Sequence, residues 1–105
     1  MMQKLNSTQV AEMLFTLPGW SHDAQRESIS RTYVFADFMQ AFAFMTQIAM
    51  AAEKHNHHPE WSNVYNRVSI TWTTHDVNGL SGNDIAMAQL CDRACAAYAQ
   101  ASSST

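Results

Sequence analysis

Residues 53–66, EKHNHHPEWSNVYN, concentrate side chains that can carry chemistry in an otherwise plain chain. The segment holds three histidines, two glutamates, a tryptophan and a tyrosine, and a further histidine, His75, follows it. Imidazole has an unperturbed pKa close to neutral pH, so it can both give and take a proton. Three uses are open from the residues alone: a metal site, a proton-transfer site, or a polar helix end where the helix dipole stabilises protonated imidazoles.

The metal alternative has enough ligands, because a His-x-His-His run with a distant histidine could supply a zinc site. Adjacent histidines, however, do not easily aim at one ion, and their spacing matches none of the stronger zinc patterns. We therefore predict no metal. Cys91 and Cys95 lie four apart in a predicted helix, and we predict buried free thiols, with a redox pair as the alternative.

Composition limits the class of protein. The chain has 105 residues, of which 47% are hydrophobic and 14% charged, and this predicts one globular domain over 1–105 with frayed ends at 1–6 and 101–105. A net charge of −3 with only six Lys and Arg argues against nucleic-acid binding. No apolar stretch is long enough for a membrane span or a signal peptide, so we expect a cytoplasmic protein with no membrane partner.

The first half of the chain predicts a helix and two strands. Ser7 or Thr8 can cap a helix that stops at Pro18. Residues 20–35 then alternate apolar and polar side chains, which predicts two strands joined by a turn. Arg31 interrupts the apolar side, and the sequence offers no reason for it.

Asp37 is the predicted cap of a long second helix. Its predicted core stripe follows helical spacing: Phe38, Ala41, Phe42, Met45, Ala49 and Ala52. Phe44 and Met50 fall outside this stripe, which suggests a second covered face, with another subunit as one possible cover.

Residues 61–74 predict strand with a bend at 65–67, and Ser81 with Asp84 can form the capping box of a last helix. The resulting order is helix-strand-strand-helix-strand-strand-helix. It predicts an α+β domain in which a four-stranded antiparallel sheet carries three helices on one face. Such a sheet can bring His75, at a strand end, beside His57 and His58, so that the three surround one cleft.

Several motifs at their present spacing resemble the pterin-4a-carbinolamine dehydratase family. They are Glu53-Lys54, His57-His58-Pro59-Glu60-Trp61, Asn63-Val64-Tyr65-Asn66, Val68, Thr74-His75, Gly79-Leu80-Ser81 and Asp84, with Gly19-Trp20, Arg31, Phe35, Phe38 and Phe44-Met45 upstream. The resemblance covers roughly residues 17–97. Asn56 departs from it, because the family commonly has aspartate at that position.

The resemblance implies dehydration of 4a-hydroxytetrahydropterin to quinonoid dihydropterin, which recycles the cofactor of a pterin-dependent aromatic amino acid hydroxylase. It makes His57, His58 and His75 the catalytic residues. It also implies a substrate-binding set: Glu53, Asn56, Trp61, Thr73, Thr74 and Asp76. The reaction it implies uses no metal and no cofactor, and Asp84 is interpreted mainly as a helix cap.

The resemblance also implies a homo-oligomer, either a dimer or a tetramer. A second hypothesis follows from the same family, in which some members are co-regulators that bind a protein partner through a helical surface. The alanine-rich last helix could pack closely against a second copy of the chain. The pterin side chain and the identity of the acid and the base are left open by the sequence.

Overall fold

The computed structural model describes residues 3–103, with side chains described for residues 3–98. The elements in chain order are α1 (Ser7–Leu14), β1 (Ser21–Asp23), β2 (Ser28–Val34), α2 (Phe38–His55), β3 (Glu60–Val64), β4 (Arg67–Trp72), a 3-10 turn (His75–Val77) and α3 (Gly82–Ser103). This is the predicted order, and the α+β fold class is confirmed.

The four strands form one antiparallel sheet in the order β1-β2-β4-β3. The register between the two central strands places Ile29 opposite Trp72 and Tyr33 opposite Val68, and all four side chains are buried. Because side chains alternate along a strand, the opposite face carries the intervening residues, which are mostly serine and threonine. The helices cover the apolar face, where α2 and α3 pack against β4.

The first helix is capped one residue earlier than predicted. The Asn6 side chain, and not that of Ser7 or Thr8, accepts a hydrogen bond from the Gln9 backbone nitrogen at 2.8 Å. The Gln9 side chain in turn accepts from the Asn6 nitrogen at 2.9 Å, which completes a capping box. Asn6 is the cap because the side chain of Gln9, three residues later, can accept a hydrogen bond from the Asn6 backbone nitrogen.

The second helix begins at the predicted cap, since the Asp37 side chain accepts from the Gln40 nitrogen at 2.9 Å. Its core face, however, differs from the predicted stripe. The buried residues are Ala41, Phe44, Ile48 and Ala52. Phe38 and Phe42 are about half exposed and Ala49 is exposed, so the prediction that these three face the core is wrong. The helix is apolar on both sides, so periodicity could not select the core face.

Arg31 has a partner that the sequence did not reveal. Its guanidinium donates to Asp92 of α3 at 2.8 Å and lies over the Tyr33 ring. The same carboxylate accepts from the Trp20 indole at 3.1 Å and from the Tyr33 hydroxyl. Burial and the bond to Asp92 raise the pKa of Tyr33. A charge on the core face of β2 is therefore compensated by α3.

The predicted frayed start does not extend to Lys4, Leu5 and Asn6. Leu5 donates its backbone N–H to Leu80 at 2.7 Å, and Lys4 pairs with Glu27 at 2.9 Å. The helix α3 continues to Ser103, and the remainder of the predicted tail lies outside the described residues.

Both cysteines are free thiols, as predicted; Cys91 is fully buried, whereas Cys95 is only partly buried and differs in this from the prediction. Burial raises the pKa of Cys91 to about 12 and outweighs the neighbouring Trp72 indole, which favours the thiolate.

Candidate active site

The end of α2 turns His57 into the protein. Asn56 adopts the left-handed conformation (φ 52°, ψ 44°), and the His57 nitrogen bonds back to the Ala52 carbonyl at 3.0 Å. The His57 side chain is only 7% exposed, and its ring stacks on that of Trp72 with an interplanar angle of 12°. A histidine just past a helix end is therefore part of the core and not of the surface.

Asp84 fixes this imidazole. Its carboxylate is fully buried, and one oxygen, Oδ1, lies 2.6 Å from Nε2 of His57. The other oxygen, Oδ2, accepts from the Ser81 backbone nitrogen at 2.9 Å and from the Thr74 hydroxyl at 2.6 Å. An ionised carboxylate can only accept, so Nε2 of His57 donates and Nδ1 is the acceptor of the neutral ring. The predicted capping role of Asp84 is confirmed, and the bond to His57 is a second role.

The other two histidines are exposed, and each has a different carboxylate. Nε2 of His58 lies 2.9 Å from Glu53 and Nε2 of His75 lies 3.2 Å from Glu60. The His75 side chain is 82% exposed. Glu60 was not among the predicted site residues, although its place within the His-His-Pro-Glu-Trp motif was a usable signal.

His57 and His75 line different cavities. His57 lines a cavity of about 260 Å³ between the end of α2 and α3, together with Asn83, Met87 and Arg93. His75 lines a cavity of about 310 Å³ on the uncovered sheet face. That the three histidines surround one cleft stays a prediction. A hydrogen bond links the surroundings of the two histidines: the hydroxyl of Thr74, which precedes His75, donates to the Asp84 carboxylate that holds His57.

The remaining predicted site residues have varied surroundings. Trp61 is partly buried against the core. The Thr73 hydroxyl donates to the Glu27 carbonyl at 3.0 Å, and the Thr74 hydroxyl is buried. Asn56 and Asp76 are exposed.

Within residues 3–103, no three His, Cys, Asp or Glu side chains converge as a set that could hold a metal ion. Within the same range, no helix has the length and apolar character needed to cross a membrane.

Known proteins resemble this chain in fold and in sequence. A crystal structure described as a transcriptional coactivator/pterin dehydratase from Brucella melitensis superposes with a TM-score of 0.85 and 44% sequence identity, over 88% of this chain and 98% of that chain. The family model for pterin 4 alpha carbinolamine dehydratase matches residues 3–94.

Relatives with the name pterin-4-alpha-carbinolamine dehydratase are similar over most of their length. One from Rhizorhabdus wittichii is 55% identical over 83% of this chain and 90% of the relative. One from Burkholderia ambifaria is 52% identical over 91% of this chain and 94% of the relative. The chain belongs to the pterin-4a-carbinolamine dehydratase family, which makes it an enzyme of the hydro-lyase class.

Proposed function

We propose that the chain dehydrates 4a-hydroxytetrahydropterin to quinonoid dihydropterin by histidine acid–base catalysis. The observation that carries this proposal is the buried pair of His57 and Asp84, which holds one imidazole in a fixed tautomer beside a cavity. Dehydration leaves the oxidation state unchanged, so the reaction calls for no redox cofactor.

The chemistry requires two proton transfers. The bond between C4a and its hydroxyl oxygen breaks as the N5–H proton leaves, the C4a=N5 double bond forms, and water departs. Hydroxide is a poor leaving group, so an acid must deliver a proton to it while a base removes the proton from N5. Neutral imidazole and imidazolium can fill both roles near neutral pH.

The surroundings of each histidine suggest its part. Nδ1 of His57 is the acceptor of the neutral ring, and the Asp84 carboxylate would stabilise the imidazolium that forms when Nδ1 takes a proton. His75, beside Glu60, is exposed at the edge of the other cavity and would exchange the second proton. His58 would mainly bind the pterin. The remaining expected substrate contacts are part of the same proposal: Glu53, Asn56, Trp61, Thr73, Thr74 and Asp76.

Single alanine substitutions of His57, His58 and His75 test these roles. We expect losses in kcat of about 10²–10⁴-fold at the two residues that transfer protons, because a positioned acid or base typically contributes that much. His22→Ala is the matched control, since His22 is an exposed histidine on β1. Dehydration rates near wild type in all three variants would reject the assignment.

Within this proposal, the reaction serves a pterin-dependent hydroxylase. A 4a-hydroxytetrahydropterin is the form in which a pterin leaves an oxygen-transferring hydroxylase, so the chain would recycle the cofactor of an aromatic amino acid hydroxylase. A coupled assay checks this link: such a hydroxylase generates the carbinolamine, and quinonoid dihydropterin should form faster when the chain is present.

We also propose that the chain forms a homo-oligomer through the outer face of α2, defined by Phe38, Met39, Phe42 and Met50. These side chains are 48–73% exposed, and the rings of Phe38 and Phe42 pack at 5.7 Å. A helix that is apolar on both sides usually has both sides covered. A protein-binding role is the second candidate, because the similar Brucella protein is described as a transcriptional coactivator.

A further inference from the structure

Trp72 lies against the ring of His57. It is the last residue of β4, and its side chain is fully buried. The two ring centroids are 5.6 Å apart and the interplanar angle is 12°, so the rings stack. Nε2 of the same imidazole lies 2.6 Å from the Asp84 carboxylate. The His57 ring is therefore held at one edge by a carboxylate and across one face by an indole.

Core packing alone does not explain a tryptophan at position 72. Within residues 3–98, the buried Nε1 of Trp72 has no oxygen or nitrogen acceptor, and its neighbour is the thiol of Cys91, a weak acceptor. A buried N–H without a good acceptor lowers stability, whereas leucine or phenylalanine would fill the core without this loss. The property in which indole exceeds both is the negative charge on the face of its ring.

This ring face favours the protonated form of a stacked imidazole. Tryptophan stabilises a cation within about 6 Å of its ring centroid, and the effect is larger where water is excluded. His57 lies within that distance and is only 7% exposed. In the proposed reaction His57 is neutral at the start and gains positive charge as the proton moves. An interaction that strengthens with this charge lowers the barrier and does not merely tighten substrate binding.

The other charged groups that face His57 are few. Asp84 supplies the one carboxylate bonded to it among the described residues. Arg93 and His55 line the same cavity, and a positive charge on either opposes a second cation there. Trp72 therefore adds stabilisation of the imidazolium from the side that carries no ionised group.

We infer that Trp72 is a positioning residue of the dehydration, which stabilises the His57 imidazolium through the face of its indole. The N5–H bond of the pterin breaks and a bond from Nδ1 of His57 to that proton forms. The electron pair of the N5–H bond forms the C4a=N5 double bond, and the hydroxyl, protonated by the second histidine, leaves as water. This inference rests on the proposed function.

Fluorinated tryptophans at position 72 test the inference. Fluorine withdraws electrons from the ring face but changes its shape little, so the core packing is kept. We expect kcat to fall stepwise with each added fluorine, by about 2- to 30-fold over the series, with little change in KM. The same analogues at position 20 are the control, because Trp20 is also buried but packs its ring against Tyr33. They should leave kcat unchanged.

Trp72→Phe and Trp72→Leu provide a second comparison. Both remove bulk and the buried N–H, but only leucine removes the aromatic face. Trp72→Phe should therefore retain more of the wild-type kcat than Trp72→Leu, whereas a role in packing alone would make kcat follow the stability of the two variants.

A kcat that does not depend on the number of fluorines at position 72, with the carbinolamine still dehydrated, would overturn the inference and leave the proposed function standing. If wild-type protein did not dehydrate the carbinolamine, the proposed function itself would fail and the inference with it.

Discussion

Asp84 uses its two oxygen atoms for different purposes. Oδ2 accepts from the Ser81 nitrogen at the start of α3, and Oδ1 holds His57. The same short side chain therefore connects the beginning of a helix to the imidazole with the strongest case for proton transfer.

Asp84→Asn should lower kcat by at least about 10²-fold, because an amide cannot accept from His57, Ser81 and Thr74 together and would favour the wrong tautomer of the ring. We expect a smaller effect on KM. Steady-state kinetics with the carbinolamine would measure both.

Asp37→Asn provides the control for this change. Asp37 also accepts a backbone N–H at a helix start, but it caps α2 at the end opposite to His57. Asparagine caps helices about as well as aspartate, so kcat and stability should stay near wild type. If Asp84→Asn behaved like Asp37→Asn, Asp84 would have only a structural role.

At the scale of elements, the end of α2 determines where His57 points. Asn56 occupies the left-handed region at φ 52°, which asparagine and glycine adopt more readily than alanine. Asn56→Ala should therefore lower the free energy of unfolding by about 1 kcal/mol, measured by denaturant titration. Asn56→Gly should stay close to wild type.

Asn56→Asp introduces the aspartate that the family commonly has at this position. Aspartate also tolerates the left-handed conformation, and His57 takes its orientation from Asp84. We expect kcat of this variant to stay within about 2-fold of wild type, since no hydrogen bond to the proton-transfer residues is lost. A large change in kcat would show that residue 56 tunes the histidine directly.

The contact between α3 and β2 depends on Asp92. This carboxylate accepts from Arg31, Tyr33 and Trp20, so its removal leaves three donors without their acceptor. Asp92→Ala should lower the free energy of unfolding by about 1–3 kcal/mol, a range reduced because the ion pair is partly exposed.

Lys4→Ala is a suitable comparison for Asp92→Ala. It removes a more exposed ion pair, with Glu27, and should cost less than about 1 kcal/mol. Thermal and chemical denaturation of both variants would measure the difference. Equal losses in the free energy of unfolding would contradict a stabilising role of Asp92 in the contact between α3 and β2.

For the whole molecule, the outer face of α2 matters most because it exposes four large apolar side chains: Phe38, Met39, Phe42 and Met50. Phe42→Glu places a charge at the middle of this face and should shift the protein to a smaller species, because burying an unpaired charge is costly. Sedimentation velocity of wild type and variant would measure the shift.

Phe15→Glu is the control for surface charge, because Phe15 is 87% exposed and follows α1. It should leave the sedimentation of the protein unchanged. A wild-type protein that sediments as a monomer at micromolar concentration would contradict self-association through α2 and favour a different partner for this face.

Local patterns in the sequence predicted the order of the elements correctly. The alternation in β2 and β4, the cap at Asp37 and the break at Pro59 are local signals, readable within a few residues. The His-His-Pro-Glu-Trp run and its spacing to Thr74-His75 are likewise linear properties of the chain. These features could be predicted because neighbours in sequence decide them.

Which side chains meet depends on the tertiary structure. His57 and Asp84 lie 27 positions apart, and Arg31 and Asp92 lie 61 apart. Their pairing depends on strand register and on how α3 packs across the sheet, which no local pattern specifies. The core face of α2 was undetermined for a related reason: both faces are apolar, and packing against β4 and α3 selected Phe44 over Phe42.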